Sequence, residues 1–207
     1  YLRHQIHMSD VLDDYEALAV MINARLFPNK VALFEGCFDD IEKVNSLVSN
    51  AKDWEDWKSS SNDFTYGSRL IVSAGRHEEL FAMIRDAITK ASNKYKEIYP
   101  IPHQELSQMK NSMFNVVFRI NKYDSGVGMG EHVDRDDYNE NAYYVVATYL
   151  NDDYDDGEIF FIESETKIKP KAGDIAIFPG NLVHMVFPVM NGNKMIITHH
   201  LNGDFGD

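Results

Sequence analysis

Four side chains carry the chemistry this sequence can offer. His132-Val133-Asp134 places an imidazole and a carboxylate two residues apart. In extended backbone, residues i and i+2 point to the same side, so one short segment can present both groups to one ion. His184 follows, after an apolar run and the turn Pro179-Gly180-Asn181. Two imidazoles and one carboxylate on one face of an octahedron suit non-haem iron(II) and leave the other positions open to further ligands. Lys194 lies ten residues beyond His184 and opens an apolar strand. An ammonium drawn into an interior is costly unless an anion meets it, and the carboxylate of a small cosubstrate is one such anion. By itself, His-x-Asp with a distant histidine is a weak signal in a chain with eight histidines. Lys194 reads equally well as the solvated end of the turn Asn191-Gly192-Asn193.

Composition narrows the classes. A chain of 207 residues suits one sizeable core and one domain. The formal net charge of −13, with no basic stripe, argues against a nucleic-acid partner. Acid is densest in Asp134–Glu140 and Asp152–Asp156, where solvated loops are the plain reading and selection of a basic peptide the sharper one. No apolar run is long enough to span a bilayer, and no secretory signal pattern opens the sequence. Cys37 is the single cysteine, which rules out an internal disulfide and a multi-cysteine zinc site. A reducing, cytoplasmic setting is expected, with Cys37 a small buried apolar residue.

These side chains must be positioned by a change of texture along the chain. Asp10–Leu26 has apolar residues at helical spacing (Val11, Leu12, Tyr15, Leu18, Ala19, Ile22, Leu26), a cap at Ser9 or Asp10, and Pro28 beyond it. Val31–Phe34 reads as a short strand, Asp39–Ala51 as a helix, Ser59–Gly67 as a loop, and Glu78–Ile98 as an amphipathic helix stopped by Pro100 and Pro102. After that, Phe114–Tyr123, Tyr143–Leu150, Glu158–Ile162, Ile175–Phe178 and Lys194–Leu201 are β-rich, separated by Gly, Asp, Asn and Pro clusters. Helices first and strands afterwards predict a β-sandwich buttressed by N-terminal helices, with a helical support region at 1–102 and a catalytic core at 103–207 in one folding unit.

At this point the chain resembles the prolyl 4-hydroxylase-like branch of the 2-oxoglutarate and iron(II)-dependent dioxygenases, over roughly Asn115 to Leu201. Tyr123-Asp-Ser-Gly126 followed by His132-Val-Asp134 is similar to that family's Tyr-x-x-Gly…His-x-Asp segment. Thr148-Tyr-Leu-Asn-Asp152 resembles its strand ending in Tyr-Leu-Asn, and Gly157-Glu-Ile-Phe160 its Gly-Gly-Glu…Phe turn. Pro170-Lys-Ala-Gly-Asp174 with Ile177-Phe-Pro179 resembles its Pro-x-x-Gly-Asp…Phe-Pro stretch. Pro188-Val189 and Gly192-Asn-Lys194 resemble its Pro-Val…Gly-x-Lys ending. The sequence departs from the pattern at Asp156, which stands where the first of two glycines is usual, and at His200, which replaces an aromatic residue. His200 shares strand parity with Lys194, Ile196 and Thr198, and reads as lining the pocket or supporting a ligand.

The resemblance implies an α+β fold with a double-stranded β-helix (jelly-roll, cupin-like) core and N-terminal supporting helices. It implies His132, Asp134 and His184 as the catalytic, iron(II)-binding set. Lys194, Tyr123 and Tyr149 would line the 2-oxoglutarate pocket, with Lys194 on the distal carboxylate; aromatic core is the plainer reading of the two tyrosines. The implied reaction uses dioxygen, converts 2-oxoglutarate to succinate and carbon dioxide, and hydroxylates an aliphatic C–H, a peptidyl proline or similar side chain being favoured. Ascorbate as reductant is a further implication. The resemblance adds no nucleic-acid or membrane partner. A non-catalytic metal or small-molecule binding module on the same fold is the competing reading. A halogenase is disfavoured because Asp134 fills the position that a halide would need.

Overall fold

The computed structural model describes residues 24–58, 65–100, 117–135 and 142–202. Among them are twelve strands and two helices, and every strand pairing is antiparallel. The strands are β1 (Ala24–Phe27), β2 (Val31–Phe34), β3 (Glu55–Lys58), β4 (Thr65–Val72), β5 (Phe118–Tyr123), β6 (Met129–His132), β7 (Ala142–Tyr149), β8 (Ile159–Phe161), β9 (Thr166–Ile168), β10 (Ile175–Pro179), β11 (His184–Val186) and β12 (Lys194–Asn202). The helices are α1 (Ile41–Asn50) and α2 (Glu78–Ile98). An eight-stranded sheet runs β1-β2-β10-β7-β12-β5-β4-β3, and a four-stranded sheet runs β6-β11-β8-β9. This is the jelly-roll architecture with helices outside it.

The side-chain alternation of the large sheet explains its two layers. Phe34, Leu70, Ile120, Val146, Ile177 and Ile197 point to one face and pack on the helices. Leu33, Tyr123, Val145, Ala147, Tyr149, Phe178 and Ile196 point to the other, toward Ile159, Phe161 and Ile168 of the small sheet. Central strands buried on both faces read as near-continuous apolar runs, as Val145-Val146-Ala147 and Ile175-Ala176-Ile177-Phe178 do. Helix α2 buries Leu80, Ile84, Ala87, Ile88, Ala91, Tyr95 and Ile98, one stripe at 3–4 residue spacing. Glu78 and Glu79 favour its N-terminal dipole. In α1 the Asp40 carboxylate accepts from the Lys43 N–H at 2.8 Å, and Val44 and Val48 face the core.

The described part of the N-terminal half holds strands where the sequence suggested helix or loop. Residues 1–23, most of the expected Asp10–Leu26 helix, lie outside the described residues, and Ala24–Leu26 belong to β1. Pairing overrides helical spacing there: Leu26 sits opposite Ala32, and the tight turn uses Asn29 and Lys30, both at φ +59. The expected loop Ser59–Gly67 ends in strand instead, with Thr65–Gly67 opening β4. Edge strand β3 escapes sequence reading because Glu55, Asp56 and Lys58 are exposed charges, the composition that blunts a sheet edge. The 1–102 segment thus supplies four strands of the large sheet as well as both helices. The short strands β6, β9 and β11 carry little apolar alternation and also go unread.

Candidate active site

The small sheet brings the two histidines together. β6 and β11 pair so that His132 lies directly opposite His184, and the ring centroids are 4.2 Å apart. Each ring is oriented by its own backbone: Nδ1 of His132 lies 2.8 Å from the Gly130 carbonyl, and Nδ1 of His184 lies 2.9 Å from the Leu182 carbonyl. A carbonyl only accepts, so Nδ1 carries the proton and the Nε2 lone pair is left for an electrophile. Asp134 follows β6 in a bend fixed to the β10–β11 turn. The N–H groups of Asp134 and Arg135 both donate to the Gly180 carbonyl, at 3.0 and 2.8 Å, and the Gly180 N–H donates to Tyr143. The Arg135 guanidinium lies over the Tyr143 ring at 4.1 Å.

One ligand atom from each of His132, Asp134 and His184 lies within 4.8 Å of the others. Asp134 Oδ2 is 3.4 Å from His184 Nε2, and Asp134 Oδ1 is 3.3 Å from His200 Nε2. Burial pushes the Asp134 carboxyl up, but His200, His184 and His132 outweigh it and hold the group below the ordinary carboxylate range. Burial lowers His184, helped by His132 and His200. Carboxylate and neutral imidazole are the protonation states a divalent metal takes. Two neutral nitrogens, one anionic oxygen and an open side toward the cavity fit iron(II).

The open side is a cavity of about 160 Å³ between the two sheets. His132, Asp134 and His184 line it together with Tyr123, Tyr149 and Lys194. Lys194 begins the central strand β12, opposite Tyr123, and is 1 % exposed. Its ammonium donates to the Gly157 carbonyl at 2.8 Å and lies 5.3 and 5.8 Å from the rings of Tyr149 and Tyr123. Among the described residues it makes no ion pair with a carboxylate. Burial pushes it down to about 7, against a smaller opposing pull from Glu158. Burial raises both tyrosines, keeping their hydroxyls neutral donors. The Tyr123 hydroxyl rests on Met129 Sδ at 3.2 Å.

Several neighbours went unread in the sequence. Asn121 lines the cavity, and its parity with Tyr123 on β5 was the available signal. Trp57 stands edge-on to Tyr123 at 4.9 Å and also lines the cavity. Met129–Glu131 belong to strand β6, which leads into the first histidine. Most of the acidic run Asp134–Glu140, from residue 136 onward, lies outside the described residues. Asp156 keeps the turn geometry that a glycine would give, at φ +55, a conformation aspartate tolerates better than most residues. Gly157 follows at φ +67 and turns its carbonyl to Lys194.

Comparison with known proteins agrees with this arrangement. Residues 118–202 match the family model described as the 2OG-Fe(II) oxygenase superfamily, a segment that holds all six residues named above. A PKHD-type hydroxylase of Prochlorococcus marinus is 24 % identical over 166 residues, covering 76 % of this chain and 71 % of the relative. A 2OG-Fe(II) oxygenase family oxidoreductase from Burkholderia pseudomallei shares the fold at TM-score 0.60 and 16 % identity, covering 95 % of this chain and 94 % of that one. A Trichoplax adhaerens prolyl hydroxylase, solved with a hypoxia inducible factor peptide fragment, does so at TM-score 0.57 and 16 % identity, covering 93 % and 92 %. Over residues 118–202 the chain is therefore similar to 2-oxoglutarate and iron(II)-dependent oxygenases, and its fold is that of the prolyl hydroxylases, with a His-Asp-His group placed as an iron site requires. No described helix is long and apolar enough to cross a membrane.

Proposed function

We propose that His132, Asp134 and His184 hold iron(II), that Lys194 receives the distal carboxylate of 2-oxoglutarate, and that the enzyme hydroxylates an aliphatic C–H of a peptidyl proline or similar side chain. The observation that carries this reading is the buried ammonium of Lys194, without a carboxylate partner among the described residues, in the same cavity as the triad. Iron and 2-oxoglutarate, when bound, supply the oxidising chemistry, with succinate and carbon dioxide as products and ascorbate as a reductant that keeps the metal ferrous. The protein's part is binding, orientation and exclusion of water. Tyr149 and Tyr123 flank Lys194 with rings that pack and hydroxyls that can donate to a carboxylate. The apolar walls Val145, Ala147, Ile159, Phe178 and Ile196 keep the cavity dry, which strengthens each polar contact inside it.

The peptide preference is supported by the prolyl hydroxylase fold likeness and the PKHD-type hydroxylase relative. A cytoplasmic setting goes with the single buried cysteine. The test is a screen of proline-containing peptides and free amino acids with iron(II), 2-oxoglutarate and dioxygen. A substrate gains the mass of one oxygen while succinate forms in step. Succinate formation that no added substrate accelerates, across peptides and amino acids alike, would count against this substrate class.

A further inference from the structure

The three residues of the triad are not held in the same way. Both histidine rings are fixed by carbonyls two residues earlier in their own chain segments. The Asp134 backbone is tied to Gly180, and its carboxylate faces His184 on one side and His200 on the other. His200 comes from β12, two strands away in the large sheet from the Gly180 turn that ends β10.

His200 lies on the cavity side of β12, in phase with Lys194, Ile196 and Thr198, all of which line the cavity. Six residues of extended chain separate Lys194 from His200, roughly 20 Å at the usual strand rise. One strand thus reaches both ends of the site. The two oxygens of Asp134 are divided between partners, Oδ2 toward His184 at 3.4 Å and Oδ1 toward His200 at 3.3 Å. Nε2 of His200 is shielded from water and makes no well-aligned hydrogen bond among the described residues, although Asp134 Oδ1 stands 3.3 Å away. A buried donor left unpaired is costly, so this N–H has a physical reason to close on Asp134.

We propose that His200 is a positioning residue for Asp134: its Nε2–H donates to Oδ1 and keeps Oδ2 facing the two imidazoles. This rests on the reading of the triad as the iron site. A histidine here does what a hydrocarbon ring at the same place cannot, since phenylalanine fills the space without offering a donor. Partners that orient metal ligands are worth about 10–100-fold in metal affinity.

The experiment is cobalt(II) titration of the metal-free protein, followed by the d–d absorption of the bound ion, for wild type, His200→Phe, His200→Gln and Asp134→Ala. Thermal unfolding of the metal-free proteins checks that each is folded. His200→Phe should bind about 10–100-fold more weakly with an altered spectrum. His200→Gln, which restores an N–H donor, should recover most of the affinity and the wild-type spectrum. Asp134→Ala should be weaker than either. Wild-type affinity and spectrum in His200→Phe would overturn the proposal. So would a loss in His200→Gln equal to that in His200→Phe, because the ring's packing rather than its donor would then be at work. If His200→Phe does not fold, His200→Asn takes its place, its shorter side chain falling short of Oδ1. Cobalt binding by Asp134→Ala at wild-type strength would remove the triad reading itself and this proposal with it, whereas a weak Asp134→Ala beside an unchanged His200→Phe removes only the role of His200.

Discussion

The two ends of the cavity solve opposite electrostatic problems. At the triad, a carboxylate lies among three imidazoles that hold it ionised, and burial favours the neutral form of His184, the states in which these two groups bind a cation. At the other end a single ammonium is buried among tyrosine rings and one backbone carbonyl, with no carboxylate in ion-pair contact among the described residues. The first end is prepared without its ligand. The second is uncomfortable without one, because desolvation disfavours the charged lysine until an anion arrives. A dianionic chelate that reaches from the triad to Lys194 answers both conditions, and 2-oxoglutarate has that shape.

The largest effect expected on this contrast comes from Asp134→Ala. It removes the only anionic donor of the triad and should abolish stable iron(II) binding and hydroxylation. Metal titration and succinate formation with substrate present check it, and full turnover by the variant would show that another residue completes the set. Next in size is Lys194→Ala. A charge-assisted hydrogen bond is worth roughly 1.5–3 kcal/mol, so 2-oxoglutarate should bind about one to two orders of magnitude more weakly. Iron affinity without 2-oxoglutarate should hardly change, since Lys194 lies at the far end. Titration of the anaerobic iron(II) protein with 2-oxoglutarate measures the first, and equal affinities in variant and wild type would take Lys194 out of the site. Lys194→Arg should recover only part of the loss, because a planar fork does not repeat the ammonium's geometry.

The same contrast shows what could be read from the chain. His132, Asp134, His184 and Lys194 were singled out less by their own spacing than by the ordered short motifs around them that resemble one family, and the structure gathers their side chains around one cavity. Helix α2 was legible to both ends because seven apolar residues repeat at helical spacing and Pro100 stops it. The edge strand β3 was not, since its sequence is mostly charged and its strand state comes from pairing with β4. Ala24–Leu26 looked helical for a related reason: three residues carry too little periodicity to resist the β2 partner. Contacts made across the fold, such as Trp57 with Tyr123, depend on sheet order that no local pattern encodes, and the strand parity of His200 pointed to the pocket without naming Asp134 as its neighbour.

A third prediction turns the discomfort of Lys194 into a stability measurement. Its pKa falls from 10.5 to about 7 on folding, so between these values the unfolded chain binds more protons and wild-type stability gains with rising pH from this group. Below about pH 7 the full penalty is present, and by about 10.5 it has vanished. Lys194→Met keeps the bulk and removes the charge. Without 2-oxoglutarate it should be more stable than wild type by on the order of 1–2 kcal/mol near neutral pH, less than a bare charge would suggest because the Gly157 carbonyl loses its donor. The difference should shrink as pH rises toward 10.5. Urea unfolding of the two proteins at several pH values reads it, and a gap that widens with pH would mean that the folded lysine is not depressed.

The smallest effect concerns the turn that aims the Gly157 carbonyl at Lys194. Asp156 sits at φ +55, where an L-residue is strained and glycine is not. The Asp156 side chain is exposed, and its bridge to Val189 is made by backbone, which glycine retains. Asp156→Gly should therefore relieve strain in the folded state while loosening the unfolded chain, two effects of opposite sign and similar size. The net change should stay within about 1 kcal/mol, with 2-oxoglutarate affinity unaltered, because Gly157 keeps its own geometry. Asp156→Val is the sharper arm: a β-branched residue tolerates this region poorly, so stability should fall by about 1–2 kcal/mol. If the turn opens under that strain, 2-oxoglutarate should also bind more weakly as the carbonyl leaves Lys194. Unfolding midpoints and 2-oxoglutarate titrations of both variants measure these outcomes. A valine variant as stable as wild type would show that the left-handed turn is not what holds this end of the cavity.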